Sequence, residues 1–563
     1  MSSILIKIKK EISNYETGQV PICDGYYFSA YKLNRRITLF KNNIYPTGKI
    51  DSQGNYKYYF DVIAPRADSE IKNVDFDTAN ILLTSDVKAD AGRILISNQR
   101  LNLFLNETGQ AAKLNEAVER GTEWGDLVAK KLKGDYRLLE LNNFYVLNQI
   151  AETLDDSDVI EKEVMYSSDL RKRIGIWDNV KELLESAKKK DNASSPEFYI
   201  YERNGEMTEK EFNESKGLEG GDENKYILTK AIVGGAEKGD PTEVLFISEI
   251  KEKPYKEYHR GKFSGRWRRV GMYELLFDIQ TRANEIGNQI ARGLEWSSKT
   301  IFRSADRVLA QNILTDLQNG DVIKSKDLTQ INVRMEGLDQ LMADWNRLML
   351  LADKLANSFE IVTGGNLPSG TPFALGNLQN ANANKLFDFI REKLTITFTD
   401  IIGEWVLPDI IKDLKSLDVV KLTNDAGMLQ RYNSMVVDEW YINNLVALPP
   451  HSAEMAVAIK AEKSKELMLN KELMIKLSNK MWEGFKPRVK VVITGENYNL
   501  ASDLETLKSF IALEQDPIRR TALIEMAMRK KNIDIEILPK TPPIQSALPT
   551  IPQAVAQEAP VPA

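Results

Sequence analysis

The chain has 563 residues, enough for roughly two to four domains with cores of their own. Hydrophobic residues make up 42% and charged residues 28%, ordinary for a soluble globular protein, and the net charge of −6 carries no general nucleic-acid-binding signature. Cys23 is the single cysteine, which excludes an intrachain disulfide and a Cys-rich zinc site, and no apolar run approaches the roughly 18 to 20 residues of a membrane-spanning helix. The first residues, Met-Ser-Ser-Ile-Leu-Ile-Lys-Ile-Lys-Lys, lack the uninterrupted apolar core of a signal peptide, so a cytoplasmic chain is expected.

The first 270 residues read as mixed. Tyr56 to Ile63 and Arg93 to Ser97 have strand character, Leu114 to Leu132 reads as a helix, and Leu138 to Val146 alternates like a strand. Phe198 to Tyr201 followed by Asn204-Gly205 predicts a hairpin with a tight turn. The stretch from Lys188 to Asp240, rich in Lys, Glu, Gly, Asn and Ser, predicts a surface insertion with mobile loops.

The pattern changes at Gly271. Met272, Leu276, Ile279, Ala283, Ile286, Ile290 and Leu294 form one stripe of a helix expected from Gly271 to about Glu295, about 38 Å long. A compact segment, 296–335, follows, with short strands expected at Thr300 to Phe302 and Asp321 to Lys324 around a helical turn at Leu309 to Leu317. A second long helix, Leu338 to Val362, carries Leu338, Leu341, Trp345, Leu348, Ala352, Leu355 and Phe359 on one face. Glycines and prolines then predict a loop from Thr363 that bars a new helix until about Leu378. No charged residue occurs over the 24 positions from Ile361 to Asn384. A third helix places Ala383, Phe387, Ile390, Leu394, Phe398, Ile401 and Trp405 on one stripe, with Pro408 kinking or ending it. Ser452 is a plausible N-cap of a helix reaching Lys480, Arg488 to Thr494 is strand-like, and Ser502 to Arg529 is helical. The last residues, from Pro539, hold seven of the 20 prolines and read as a disordered tail.

Catalytic signals are sparse. His259 and His451 are the only histidines, and both read as surface residues. No phosphate-binding Gly-x4-Gly-Lys-Ser/Thr loop is present, and no pair of carboxylates stands apart by its spacing. The stretch Arg260-Gly-Lys-Phe-Ser-Gly-Arg-Trp-Arg-Arg holds five cations in ten residues and no acid. Two readings stand for it. Arg260, Lys262, Arg266, Trp267, Arg268 and Arg269 suit contact with phosphates or with a capsid protein, and they equally suit a solvated loop before a helix. Lys299, Arg303, Arg307, Lys324 and Lys326 give the compact segment a weaker basic character.

The order of elements resembles the portal proteins of tailed bacteriophages, most like those of the crAss-like phages. Three passages carry the likeness: Gly271-Met-Tyr-Glu-Leu-Leu-Phe-Asp-Ile-Gln-Thr-Arg-Ala-Asn, Gly365-Asn-Leu-Pro-Ser-Gly-Thr-Pro-Phe-Ala-Leu-Gly, and Asn382-Ala-Asn-Lys-Leu-Phe-Asp-Phe-Ile-Arg-Glu-Lys. The earlier Glu119-Arg-Gly-Thr-Glu-Trp-Gly-Asp also looks like portal wing sequence. The resemblance implies an α+β, mainly helical fold with a wing at 1–270, a stem helix at 271–295, a clip at 296–335 and a second stem helix at 336–362. It further implies a tunnel loop at 363–380, a long helix behind it at 381–415, a wing return at 416–501, a crown at 502–538 and the Pro-rich tail at 539–563. It implies a homo-oligomeric ring, usually of twelve copies, at a capsid vertex of the virion, assembled in the host cytoplasm. Double-stranded DNA would pass through the channel. Partners would be the terminase large subunit, a head–tail adaptor and the major capsid or scaffold protein, with no membrane, no cofactor, no metal and no catalytic site in this chain. The tunnel loop would present Gly364, Gly365, Asn366, Pro368, Ser369, Gly370, Pro372, Phe373 and Asn377 to DNA, with Lys385 as the first cation behind it. Some members of that family carry basic residues near the tunnel, and here the loop has none. A non-portal helical scaffold or adaptor of virion assembly is the alternative, and a nucleic-acid-processing enzyme using the stretch around Arg266 is a third.

Overall fold

The computed structural model describes residues 3–51, 54–74, 78, 81–85, 91–188, 197–298, 301–303, 329–331, 337–357, 373–416, 426–445, 452–469, 482, 485, 487–491 and 508–512. Two compact units divide the chain, Met1–Thr494 and Gly495–Ala563. In the second, residues 508–512 are helical, inside the helix expected from Ser502. The expected tail lies outside the described residues, as does His451. The fold class is α+β, with helix outweighing strand.

The first unit opens with α1 (Ser3–Thr17), which buries Ile4, Ile8, Ile12 and Tyr15 along one face. The small pair β1 (Val20–Cys23) and β2 (Tyr26–Phe28) leads to α2 (Ala30–Lys41), whose N-cap Ser29 accepts from the Lys32 amide. Tyr56 to Ile63, expected as a strand, is extended but pairs with no strand over most of its length. Its alternate amides bond to side chains of a later helix: Tyr58 to Asn288, Phe60 to Asn284 and Val62 to Gln280, each at 2.8 Å. The extended segment finds its hydrogen bonds here in three helix side-chain amides spaced four apart, so its partner is a helix face and not a strand.

After α3 (Ala64–Val74) and β3 (Ile81–Thr84), Arg93 to Ser97 is helical within α4 (Ala91–Glu107), where burial of Ile96, Leu101 and Leu105 overrides the β-branched start. The helix expected from Leu114 ends early. It is α5 (Gln110–Trp124), stopped by Gly125 in the left-handed region at φ 83°, and the chain turns straight into β4 (Asp126–Leu132). β5 (Asp135–Leu138), a single 3-10 turn (Leu141–Asn143) and β6 (Phe144–Val146) replace the continuous alternation expected from Leu138.

The next region overturns two expectations. β7 (Val159–Tyr166), the short helices α6 (Ser167–Arg171) and α7 (Val180–Lys188), β8 (Glu197–Thr208), α8 (Glu209–Ser215), β9 (Tyr226–Gly235) and β10 (Glu243–Glu249) contain four of the five strands of one sheet, ordered β10-β9-β8-β7-β6. The stretch from Lys188 to Asp240 thus supplies central strands, although residues 189–196 lie outside the description. Asn204-Gly205 makes no turn. β8 runs through both residues, and a Cβ on Gly205 would sit 2.3 Å from Asp158 Oδ1, so glycine is there for close approach of a carboxylate. β11 (Tyr255–His259) completes a second sheet, β11-β4-β5. The sheets are tied by Lys130, which contacts Glu161 at 2.6 Å and Glu202 at 2.8 Å. Burial opposes ionisation of Glu202, yet Lys130 and Lys230 outweigh it and hold the carboxyl near a pKa of about 2.

The long helices follow expectation more closely. α9 (Met272–Ser298) buries Met272, Leu276, Ile279, Ala283 and Ile286. Beyond it β12 (Ile301–Arg303) pairs antiparallel with β13 (Thr329–Ile331). The first strand falls where expected; the second expected strand and the helical turn lie outside the described residues. α10 (Leu338–Ala356) ends at Asn357 in the left-handed region. α11 (Phe373–Ile401) begins at Phe373, five residues earlier than the glycine and proline content predicted: the last proline, Pro372, stands just before the helix, and the single Gly376 is tolerated within it. Phe387, Ile390, Leu394, Phe398 and Ile401 are buried as the stripe requires. A five-residue π turn (Ile402–Val406), closed by the Leu407 amide on the Ile402 carbonyl, joins α11 to α12 (Leu407–Ser416). Helix therefore continues through Pro408, just after the π turn, and does not end there. Helices Ala426–Asn444 and Ala453–Leu469 follow, the second capped by Ser452, and β14 (Arg488–Val491) returns to pair with β3.

Candidate functional site

The basic stretch between β11 and α9 folds inward. Asp126, fully buried, is its hub. The Asp126 carboxylate accepts from the Arg268 guanidinium, from the Arg269 amide at 3.0 and 3.1 Å, and from His259 Nδ1 at 2.7 Å. His259 Nε2 lies 3.1 Å from Glu257 Oε2, an ionic contact outside hydrogen-bond geometry. Trp267 is buried, meets the His259 ring edge-on at 5.6 Å, and donates its Nε1–H to Glu257 at 2.6 Å. Burial works to discharge His259, but the Asp126 hydrogen bond and the Glu257 carboxylate outweigh it and raise its pKa.

The other cations are committed too. Arg260 forks onto the fully buried Glu70 of α3 with two contacts of 2.6 Å. Arg266 pairs with Glu274 in the first turn of α9 at 2.7 Å. Arg269 donates to the carbonyls of Arg266 and Glu152 and stacks on Phe263. Of the six residues expected at a phosphate or capsid surface, only Lys262 is exposed. That expectation is corrected for Arg260, Arg266, Trp267, Arg268 and Arg269, because each turns inward and bonds to a carboxylate or carbonyl of the same chain. His259 likewise is not a surface residue. Gly271 closes the joint: a Cβ there would lie 2.4 Å from the Gly125 amide nitrogen, so two backbones touch where α9 starts. The whole arrangement fixes the direction in which α9 leaves the sheets.

α9 and α10 form a projecting pair. Burial in α9 is concentrated in its first half, and in α10 the fully buried residues are Ala352 and Ala356 near its end, in the same cluster as Met272 and Ala283. One helix therefore leaves this core and the other returns to it, with Arg282 and Asp344 in loose ionic contact at 3.6 Å between them. Away from the core, Leu294 and Met342 are exposed, and so are Leu350, Leu351 and Leu355 on α10. Beside α9, a cavity of about 520 Å³ opens against α2, the 44–47 loop and the extended 57–59 segment. Sequence reasoning missed the cavity; the one readable signal nearby was the amide spacing Gln280, Asn284, Asn288 on one helix face, which holds the extended segment.

The expected loop residues Gly364, Gly365, Asn366, Pro368, Ser369, Gly370 and Pro372 lie outside the described residues. Phe373 and Asn377 belong to the first turns of α11, which leaves the expected 363–380 loop shorter than its sequence implied. Lys385 is exposed on α11. Arg303 ends β12, and Lys299, Arg307, Lys324 and Lys326 lie outside the description. Among the described residues no cluster of three or more His, Cys, Asp or Glu side chains is arranged to hold a metal ion, and no helix is long and apolar enough to cross a membrane. No protein-family model matches the chain, and no curated protein matches it.

Proposed function

We propose that the chain is a portal-type subunit. Copies form a ring, of twelve by the family resemblance, around a channel at a capsid vertex. The ring passes double-stranded DNA during packaging and ejection and docks the terminase large subunit and a head–tail adaptor. The observation that carries this reading is the helix pair that leaves one core and returns to it, bearing a small antiparallel strand pair at its far end. Twenty-seven residues give α9 a reach of about 40 Å. A rod that long, clamped at one end and paired with a helix that leaves Met342, Leu350, Leu351 and Leu355 exposed, suits a stalk packed among neighbours.

In this reading the chain performs no catalysis. The uncharged run from Ile361 to Asn384 has no ionic grip on a polyanion, so DNA slides by it, and Lys385 is the nearest cation to touch a phosphate. The buried joint at Asp126 keeps the stalk direction constant while force passes along the bore. Negative-stain electron microscopy of the purified full chain tests the reading. Rings with a central hole are expected; compact single particles at every concentration would favour a scaffold or adaptor.

A further inference from the structure

We propose that the cavity beside α9 is a binding site for a small aromatic carboxylate. The site does not depend on the assembly reading above.

A ladder of three amides on α9 builds one side of it. Gln280 uses both ends of its side chain: Oε1 accepts from the Val62 amide at 2.8 Å and Nε2 donates to the Phe60 carbonyl. Asn288 does the same, accepting from the Tyr58 amide at 2.8 Å and donating to the Tyr58 carbonyl at 2.9 Å. Asn284, between them, uses only one end. Its Oδ1 accepts from the Phe60 amide at 2.8 Å, which fixes the orientation of the group, and its Nδ2 donates to nothing among the described residues. Asn284 is 4% exposed and lines the cavity, and Nδ2 is not among the orphan atoms sealed in the core, so its free N–H bonds open onto the cavity. A buried donor left without an acceptor is costly, and a ligand oxygen that accepts from it removes that cost.

The charges of the cavity reduce to one. Of the four charged residues in its lining, Arg36 stacks on Phe277 and faces Asp278 at 3.8 Å, Arg292 pairs with Asp51 at 2.6 Å, and Glu285 pairs with Arg282 at 3.2 Å. Lys57 has no carboxylate partner among the described residues. Its Nζ donates to the Thr47 hydroxyl at 2.9 Å and lies over the Tyr45 ring at 5.0 Å, so the ammonium is positioned and still has N–H bonds to offer.

The remaining walls are flat and apolar. Phe40, Tyr45 and Tyr59 contribute rings, the two tyrosines edge to face at 5.5 Å, and the volume of about 520 Å³ is that of a small-molecule site. One free cation and one free amide donor beside aromatic walls select a single negative charge on a flat apolar body. The carboxylate oxygens accept from Lys57 and Asn284 Nδ2 while the ring packs among Phe40, Tyr45 and Tyr59. A phosphate monoester, with nearly two charges, asks for more donors than this lining has free.

Isothermal titration calorimetry of the full chain with naphthoate tests the site, with naphthamide as the neutral isostere and naphthylmethylamine as the cation. Naphthoate should fill one saturable site, with naphthamide at least about tenfold weaker. Lys57→Met should weaken naphthoate about tenfold. Asn284→Asp keeps an acceptor for the Phe60 amide but turns the free donor into a charged oxygen, so it should abolish naphthoate binding and favour the amine. Lys262→Ala, exposed and outside the lining, should leave binding unchanged. The melting transition of each variant is recorded alongside; if Asn284→Asp fails to fold, Lys57→Met, at a partly exposed position, decides the matter. No naphthoate binding at millimolar concentration, equal binding of naphthamide, or binding untouched by Lys57→Met overturns the proposal. Naphthoate binding that vanishes as copies associate assigns the cavity to a side chain of a neighbouring copy and overturns it as well.

Discussion

Two regions on either side of α9 in the sequence, the stretch before it and the helix α10, use charge and apolar surface in opposite ways. The stretch 260–269 is strongly basic in sequence, yet its four arginines turn inward and bond within the chain. The middle of α10 is strongly apolar, yet half of it faces outward. Composition alone would assign each to the wrong side. What decides is whether partners exist in the same chain: Glu70, Asp126 and Glu274 exist for the arginines, and nothing among the described residues exists for Leu350 and Leu351. A buried cation with a built partner indicates a structural joint, and an uncovered apolar ridge indicates a partner outside the chain.

The comparison breaks most sharply at Asp126. Asp126→Ala leaves Arg268, whose Nε and Nη2 already lack partners, as a buried unpaired charge. The expected loss is about 3–5 kcal/mol, read from chemical denaturation. Gly271→Ala pushes a methyl against the Gly125 backbone and should destabilise the same joint by about 1–3 kcal/mol.

His259 sharpens the comparison through pH. Its folded pKa is raised, so the stability added by the charged imidazolium is complete below about pH 6.5 and is lost as pH rises through the elevated native value. The denaturation midpoint should therefore fall over that interval in the natural chain, and His259→Gln should flatten this part of the profile. At the other extreme, Lys262→Ala should change stability by less than about 0.5 kcal/mol, since Lys262 is the one cation of the stretch left in solvent. Lys385→Glu should be equally mild for folding while slowing DNA packaging; unchanged packaging would remove its role as a phosphate contact.

These residues also show what the sequence could and could not disclose. The first and third long helices were legible because their stripes repeat within a few residues: Met272 through Ile286, and Phe387 through Ile401, are buried as their spacing required, whereas Leu355 of the stripe expected on α10 is exposed. The joint was not legible, because Arg268 and Asp126 are 142 positions apart and Arg260 and Glu70 are 190 apart. A basic run displays its charge locally and hides its partners. Asn204-Gly205 misled for a related reason: the glycine answers Asp158, 47 or so positions away, and no local turn. Tyr56 to Ile63 was extended as its aromatic and β-branched residues implied, while its partner, a ladder of helix side-chain amides, lies more than 200 positions away.

The central claim is that the uncovered α10 ridge is an assembly surface of a ring. Native mass spectrometry of the full chain over rising concentration tests it most directly, alongside Leu350→Asp. The account predicts closed species of about six copies or more for the natural chain, and monomers of unchanged fold for the variant. A natural chain that stays monomeric or dimeric at every concentration contradicts it.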